Sequence, residues 1–141
     1  MAALVDTNVL VYVHDPRYPE KQRKATEILE RGLKEGSLRV PHQAVVEFVA
    51  VTTRVRRGER PLLEPIVALR RADALLGAFE ILYPNLSVLR TALAGAAIHR
   101  LSWYDAHLWA YAEAYGIPEI LSEDFQHGAR YGSVRIADPF R

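Results

Sequence analysis

The N-terminal stretch Ala2-Ala3-Leu4-Val5-Asp6-Thr7-Asn8-Val9-Leu10-Val11-Tyr12-Val13 decides how this chain is read. An apolar run climbs to Val5 and stops abruptly at Asp6. A short continuous apolar run bounded by polar residues predicts a buried strand, here Ala2 to Val5. Asp6-Thr7-Asn8 then predicts a polar turn or a helix start, because such side chains satisfy the free amides of a helix N-terminus. Val9 to Val13 continues as a short helix, stopped near Asp15-Pro16.

Working outward, Ala25, Ile28, Leu29 and Leu33 recur at helical spacing with charged residues between them, and Gly36 supplies a stop. Ser37 to Val40 reads as an extended segment ending at Pro41, which suits the first turn of a helix over 41–55. A basic turn, Arg54 to Arg60, precedes a helix over 62–78. Glu80 to Leu82 reads as a strand, 86–100 and 103–115 as helices, Glu119 to Leu121 as a strand, and 134–136 as the last one. Short apolar strands alternating with helices predict an α/β fold with a parallel sheet covered on both faces. Sites in such folds form beyond the carboxyl ends of strands.

The 141 residues suit a single domain over 1–141. Half are hydrophobic and a quarter charged, which suits a soluble globular chain. The net charge of +1 neither requires nor forbids a nucleic-acid partner. With no cysteine, disulfides and thiolate–zinc sites are excluded, and a cytoplasmic location is expected. The N-terminus lacks the pattern of a signal peptide, and no stretch has the length of a membrane span.

Four carboxylates carry the chemical reading. Asp6 stands where the first strand ends; it is either a helix cap or a group on the functional rim. Glu47 lies in Ala44-Val45-Val46-Glu47-Phe48-Val49-Ala50-Val51, a helix apolar all round and therefore expected to be buried. Its helical neighbours offer no cation, and a buried lone carboxylate is costly. The alternative is that this face meets solvent. Asp105 follows Ser102 at capping-box spacing, yet shares a helical face with Leu101, Leu108, Trp109 and Ala112. Asp124 follows the Glu119–Leu121 strand, with Glu123 beside it as a competitor and a solvated loop as the plain alternative. If the four converge, their mutual repulsion demands a counter-charge. Oxygen ligands without thiolates or a close histidine pair favour Mg²⁺ or Mn²⁺ over zinc.

Val5-Asp6-Thr7-Asn8-Val9-Leu10, Glu47 in its apolar helix, Leu101-Ser102-Trp103-Tyr104-Asp105-Ala106 and Leu121-Ser122-Glu123-Asp124 together resemble the signature of PIN-domain nucleases, and more narrowly VapC-type toxins of toxin–antitoxin pairs. The resemblance spans nearly the whole chain. It implies a three-layer α/β/α sandwich, RNA cleavage, a cognate antitoxin and a homodimer. It implies metal binding by Asp6 and Asp105, with Glu47 and Asp124 completing the acidic cluster and Thr7 and Asn8 as supporting polar residues. Arg54, Arg56 and Arg57 are candidate RNA contacts within the basic turn, with a solvated helix end as the plainer reading for most of them. Trp103 and Tyr104 could stack bases, although aromatics at a helix start more often join a core. No role is assigned to any of the five histidines.

Two other classes compete. An aspartate-nucleophile phosphatase wants a second carboxylate two residues after the first, where this chain has Asn8. A module that binds RNA or a partner without cleaving is disfavoured by the retained acids.

Overall fold

A computed structural model describes residues 1–141. In chain order the elements are β1 (Ala3–Val5), α1 (Thr7–Tyr12), α2 (Pro19–Glu35), β2 (Leu38–Pro41), α3 (His42–Thr52), α4 (Pro65–Ala78), β3 (Glu80–Leu82), α5 (Leu86–His99), α6 (Trp103–Tyr115), β4 (Glu119–Leu121), β5 (Arg130–Tyr131) and β6 (Val134–Ala137). The six strands form one sheet in the order β3-β2-β1-β4-β6-β5. All pairings are parallel except β5 with β6.

Strand residues alternate between two cores, and this makes the architecture a three-layer sandwich. Ala3 and Val5 of β1 pack with Leu10, Val40, Ala44, Phe48 and Ala72 on one face. Leu4, between them in sequence, packs with Val88, Leu108, Trp109, Ile120 and Ile136 on the other. Side chains along a strand point alternately to opposite faces, so three consecutive apolar residues serve both cores. Leu4, Val5 and Ile120 are fully buried. Each such side chain stabilises the fold by about 1.5–3 kcal/mol.

The second core depends on a close approach between α5 and α6. A Cβ on Gly95 would lie 2.1 Å from Trp109 Cζ3, so the missing side chain is what seats the indole. Trp109 Nε1 donates to the Tyr131 carbonyl at 3.0 Å and ties α6 to β5.

Three sequence expectations change. The helix expected over 41–55 ends at Thr52, where the Thr52 and Thr53 hydroxyls donate back to the carbonyls of Phe48 and Val49. It is also not buried all round. Ala44, Phe48 and Thr52 face the core, whereas Val46 is 56% exposed and Glu47 is partly exposed. The third change is β5, a two-residue strand with no apolar period of its own, formed by pairing with β6.

Candidate active site

The chain leaves β1 toward β2 and β3 on one side of the sheet, while β4 and β6 lie on the other. The carboxyl ends of β1 and β4 therefore flank the point where the strand order diverges, the place where α/β sheets open a crevice. Asp6 follows β1 directly and caps α1, its Oδ1 accepting the Thr7 amide at 2.7 Å. Ser122 follows β4, is fully buried, and donates its hydroxyl to Asp6 Oδ2 at 2.5 Å. The Ser122 oxygen in turn accepts the Asp124 amide at 3.0 Å. Asn8 completes the bridge: its Nδ2 lies 3.2 Å from Asp124 Oδ2 and 3.4 Å from Asp6 Oδ2.

Glu47 enters from α3. Its Oε2 accepts the Thr7 hydroxyl at 2.7 Å and its Oε1 accepts Gln43 Nε2 at 3.0 Å. Asp105 lies in the first turn of α6, where its amide meets the Ser102 hydroxyl at 3.2 Å. Ser102 caps the helix, and the Asp105 carboxylate is not engaged as the second half of a capping box.

Electrostatics shows that the acids share one field. Burial pushes the Asp6 carboxyl up to about 7, opposed by the hydrogen bonds from Ser122 and Thr7 and reinforced by the charges of Asp124 and Glu47. Burial also raises Asp124; the Asn8 bond opposes this, and the charges of Asp105, Glu123 and Glu47 add to it. Four elements, β1, α3, α6 and the β4 exit, thus deliver carboxylates that repel one another.

The neighbouring acid Glu123 points elsewhere. It pairs with Lys21 Nζ at 2.8 Å and accepts the Tyr12 hydroxyl. Asp124, not Glu123, joins the Asp6 network.

The residues fit a hydrated hard cation better than a closed cage. No three Asp, Glu or His side chains converge as a ready ligand set. Mg²⁺ usually keeps several waters and takes only one or two carboxylates, so a closed set is not required. Asn8 Oδ1 is buried without a hydrogen-bond partner, an orphaned acceptor beside Asp6 and Asp124. An unmet oxygen among repelling carboxylates suits a cation or its water.

Beside the acids opens a cleft of about 350 Å³, with Thr7, Asn8, Glu47 and Asp124 on its floor. Asp6 is buried and Asp105 lies beyond the lining, so neither meets the cleft wall. Arg54, Arg56 and Arg60 line it; Arg57 does not. Arg17, to which the sequence drew no attention, lines it too. Its guanidinium is held by two 2.9 Å bonds to the buried Asp15. Trp103 and Tyr104 stand exposed, at 43% and 72%, rather than joining the core.

Sequence reasoning also missed Ser122, Gln43 and His107. Ser122 had one local signal, a small hydroxyl residue at a strand end before an acid. Gln43 had another, its place four residues before Glu47 on the same helix, where i and i+4 side chains meet; His107 had none. His107 Nδ1 lies 2.6 Å from Gln43 Oε1, and burial lowers the pKa of its ring against the opposing charge of Glu47.

The family model for the PIN domain matches residues 3–131. No curated protein sequence matches the chain. Among solved structures, VapBC2 from Rickettsia felis bound to a promoter DNA fragment is similar with a TM-score of 0.71 at 13% identity, covering 96% of this chain and 97% of that one. DNA-bound VapBC from Salmonella typhimurium gives 0.70 at 14% identity, with 99% and 98% covered. FitAcB from Neisseria gonorrhoeae gives 0.69 at 17% identity, with 98% of each chain covered.

Proposed function

Because this chain belongs to the PIN domain family, we propose that it is a metal-dependent endoribonuclease and the toxin of a toxin–antitoxin pair. The observation that carries the reading is the joining of Asp6 to Asp124 through Ser122 and Asn8. That network gathers acids at the divergence point of the sheet, where their repulsion calls for a cation.

Asp6 and Asp105 are the proposed ligands of Mg²⁺ or Mn²⁺, with Glu47 and Asp124 completing the set, in part through water. When bound, such an ion would supply positive charge to the phosphate and acidify a water. Glu47, held from both oxygens, accepts the proton of the attacking water. Water attacks phosphorus, the phosphodiester P–O bond breaks, the leaving oxygen takes a proton from solvent water, and Glu47 releases its own proton to solvent. Thr7 and Asn8 hold the acids in place. Arg54 and Arg56 on the cleft wall bind backbone phosphates.

A partner protein is supported by uncovered apolar side chains. Ile66 and Leu69 of α4 are 58% and 55% exposed, and Leu86 and Leu93 of α5 are 63% and 57% exposed. Exposed apolar groups gathered on helices suit an antitoxin and a second copy of the chain. The similarity to VapBC and FitAcB structures supports the same reading.

The test is RNA cleavage by purified protein with Mg²⁺ or Mn²⁺, with Asp6→Asn abolishing it. Cleavage in excess chelator, or an unaffected Asp6→Asn variant, would sink the mechanism. Expression should arrest growth, and a small adjacent gene should relieve the arrest; without such a gene the toxin assignment fails while the nuclease stands.

A further inference from the structure

Glu47 is the one acid of the cluster whose two carboxylate oxygens are held by side chains from two different helices. Thr7 of α1 holds Oε2, and Gln43, one turn earlier on α3, holds Oε1. Gln43 is itself held. Its Nε2 faces both Glu47 and, at 3.4 Å, the Tyr104 carbonyl at the start of α6. Both groups only accept hydrogen bonds, so the NH₂ end of the amide must face them. The amide oxygen is then turned to His107 Nδ1, 2.6 Å away on α6. An oxygen facing a ring nitrogen at that distance requires a proton on the nitrogen, so Nδ1 is the protonated position. The donors run one way, from His107 to Gln43 to Glu47.

The run crosses the molecule. Glu47 and Gln43 ride on α3, which packs on the Val5–Phe48 core, whereas His107 rides on α6, which packs on the Leu108–Ile120 core. A glutamate with several freely turning bonds would otherwise sample many rotamers at the cleft floor. The His107 ring packs edge-on against Tyr111 at 5.2 Å, with Trp103 tilted beside it at 6.1 Å.

We propose that Gln43 and His107 are positioning residues that hold the Glu47 carboxylate in the one orientation from which it receives the proton of the attacking water. The proposal rests on the nuclease reading above for its catalytic consequence, but not for the hydrogen-bond run itself.

The first arm uses metal-free protein. Long-range ¹H–¹⁵N correlation of the His107 ring should show the proton on Nδ1, and Gln43→Ala should shift that resonance. A bare Nδ1 with the proton on Nε2 overturns the proposal. The second arm is RNA cleavage. Gln43→Ala and His107→Phe should each lower kcat about 10-fold, the low end for loss of a supporting hydrogen-bond partner. KM should stay within about twofold and the unfolding temperature near that of the parent, because neither group belongs to the arginine wall. His107→Asn, whose amide NH₂ restores a donor near the Nδ1 position, should recover most of the loss. Unchanged kcat in both variants, alongside an inactive Asp6→Asn, overturns the positioning role while leaving the nuclease reading intact. An unaffected Asp6→Asn fails the nuclease reading instead, and takes the catalytic consequence with it.

Discussion

The Ser122 hydroxyl donates to Asp6 Oδ2 at 2.5 Å, joining the carboxyl ends of two adjacent parallel strands by a single side-chain contact. Both residues are buried, so the bond forms away from competing water. It opposes the upward push of burial on Asp6. Ser122→Ala should therefore leave Asp6 more reluctant to ionise and lower its affinity for Mn²⁺ by about 10-fold or more. The stability cost of the lost bond should be about 1 kcal/mol. Calorimetric titration with Mn²⁺ and urea unfolding of the same preparation check the two figures.

Asp6 also gives the metal-free protein a characteristic pH response. Its carboxyl stands at about 7 in the folded chain, against an ordinary value of 3.8. Between those values the folded state holds more protons than the unfolded state, so stability falls as pH rises from about 4 through about 7. The raised Asp124 carboxyl acts in the same direction. Unfolding in chelator should show lower stability at pH 8 than at pH 5, and Asp6→Asn should flatten that slope and be the more stable protein at pH 8. Mn²⁺ binds the ionised form, so its affinity should rise over the same window with release of protons. A pH slope unchanged by Asp6→Asn would refute the assignment.

Asp124 and Glu123 are adjacent but should behave differently. Glu123 is engaged by Lys21 and Tyr12, whereas Asp124 joins Asn8 and Ser122. Asp124→Asn should lower cleavage and Mn²⁺ affinity by about 10-fold or more, while Glu123→Gln should change either by less than about twofold. Equal losses from the two substitutions would contradict the separation of their roles.

The arginines should separate in the same manner. Arg54 and Arg56 line the cleft and Arg57 does not. Arg54→Ala and Arg56→Ala should each weaken RNA binding and reduce the slope of log affinity against log salt by about 1. Arg57→Ala should leave the slope near the parent value. Binding isotherms at several salt concentrations, on an inactive Asp6→Asn background, measure this directly.

Much of the fold was legible because it is written in local contrasts. The apolar run into Asp6, the turn at Gly116-Ile117-Pro118 before β4, and the Ser102 cap of α6 each place a boundary within a few residues. The bounds of β3, α6 and β4 match those read from the sequence. β5 was not legible, since Arg130–Tyr131 has no period of its own and exists by pairing with β6. The exposure of Val46 was not legible either, because an apolar helix carries no mark of which face the sheet will take.

The sequence by itself determined the alternation of strand and helix, the residue types of the site and the places where strands deliver them, all of which depend on neighbours a few positions apart. Only the tertiary structure decided which acid of Glu123 and Asp124 turns to Asp6, that Ser122 joins the two strand ends, and that His107 meets Gln43 behind Glu47. The partners are separated by 116 positions for Asp6 and Ser122 and by 64 for Gln43 and His107. Hydrogen bonds act over about 3 Å of space, so residues far apart along the chain meet only once the sheet order has brought them together.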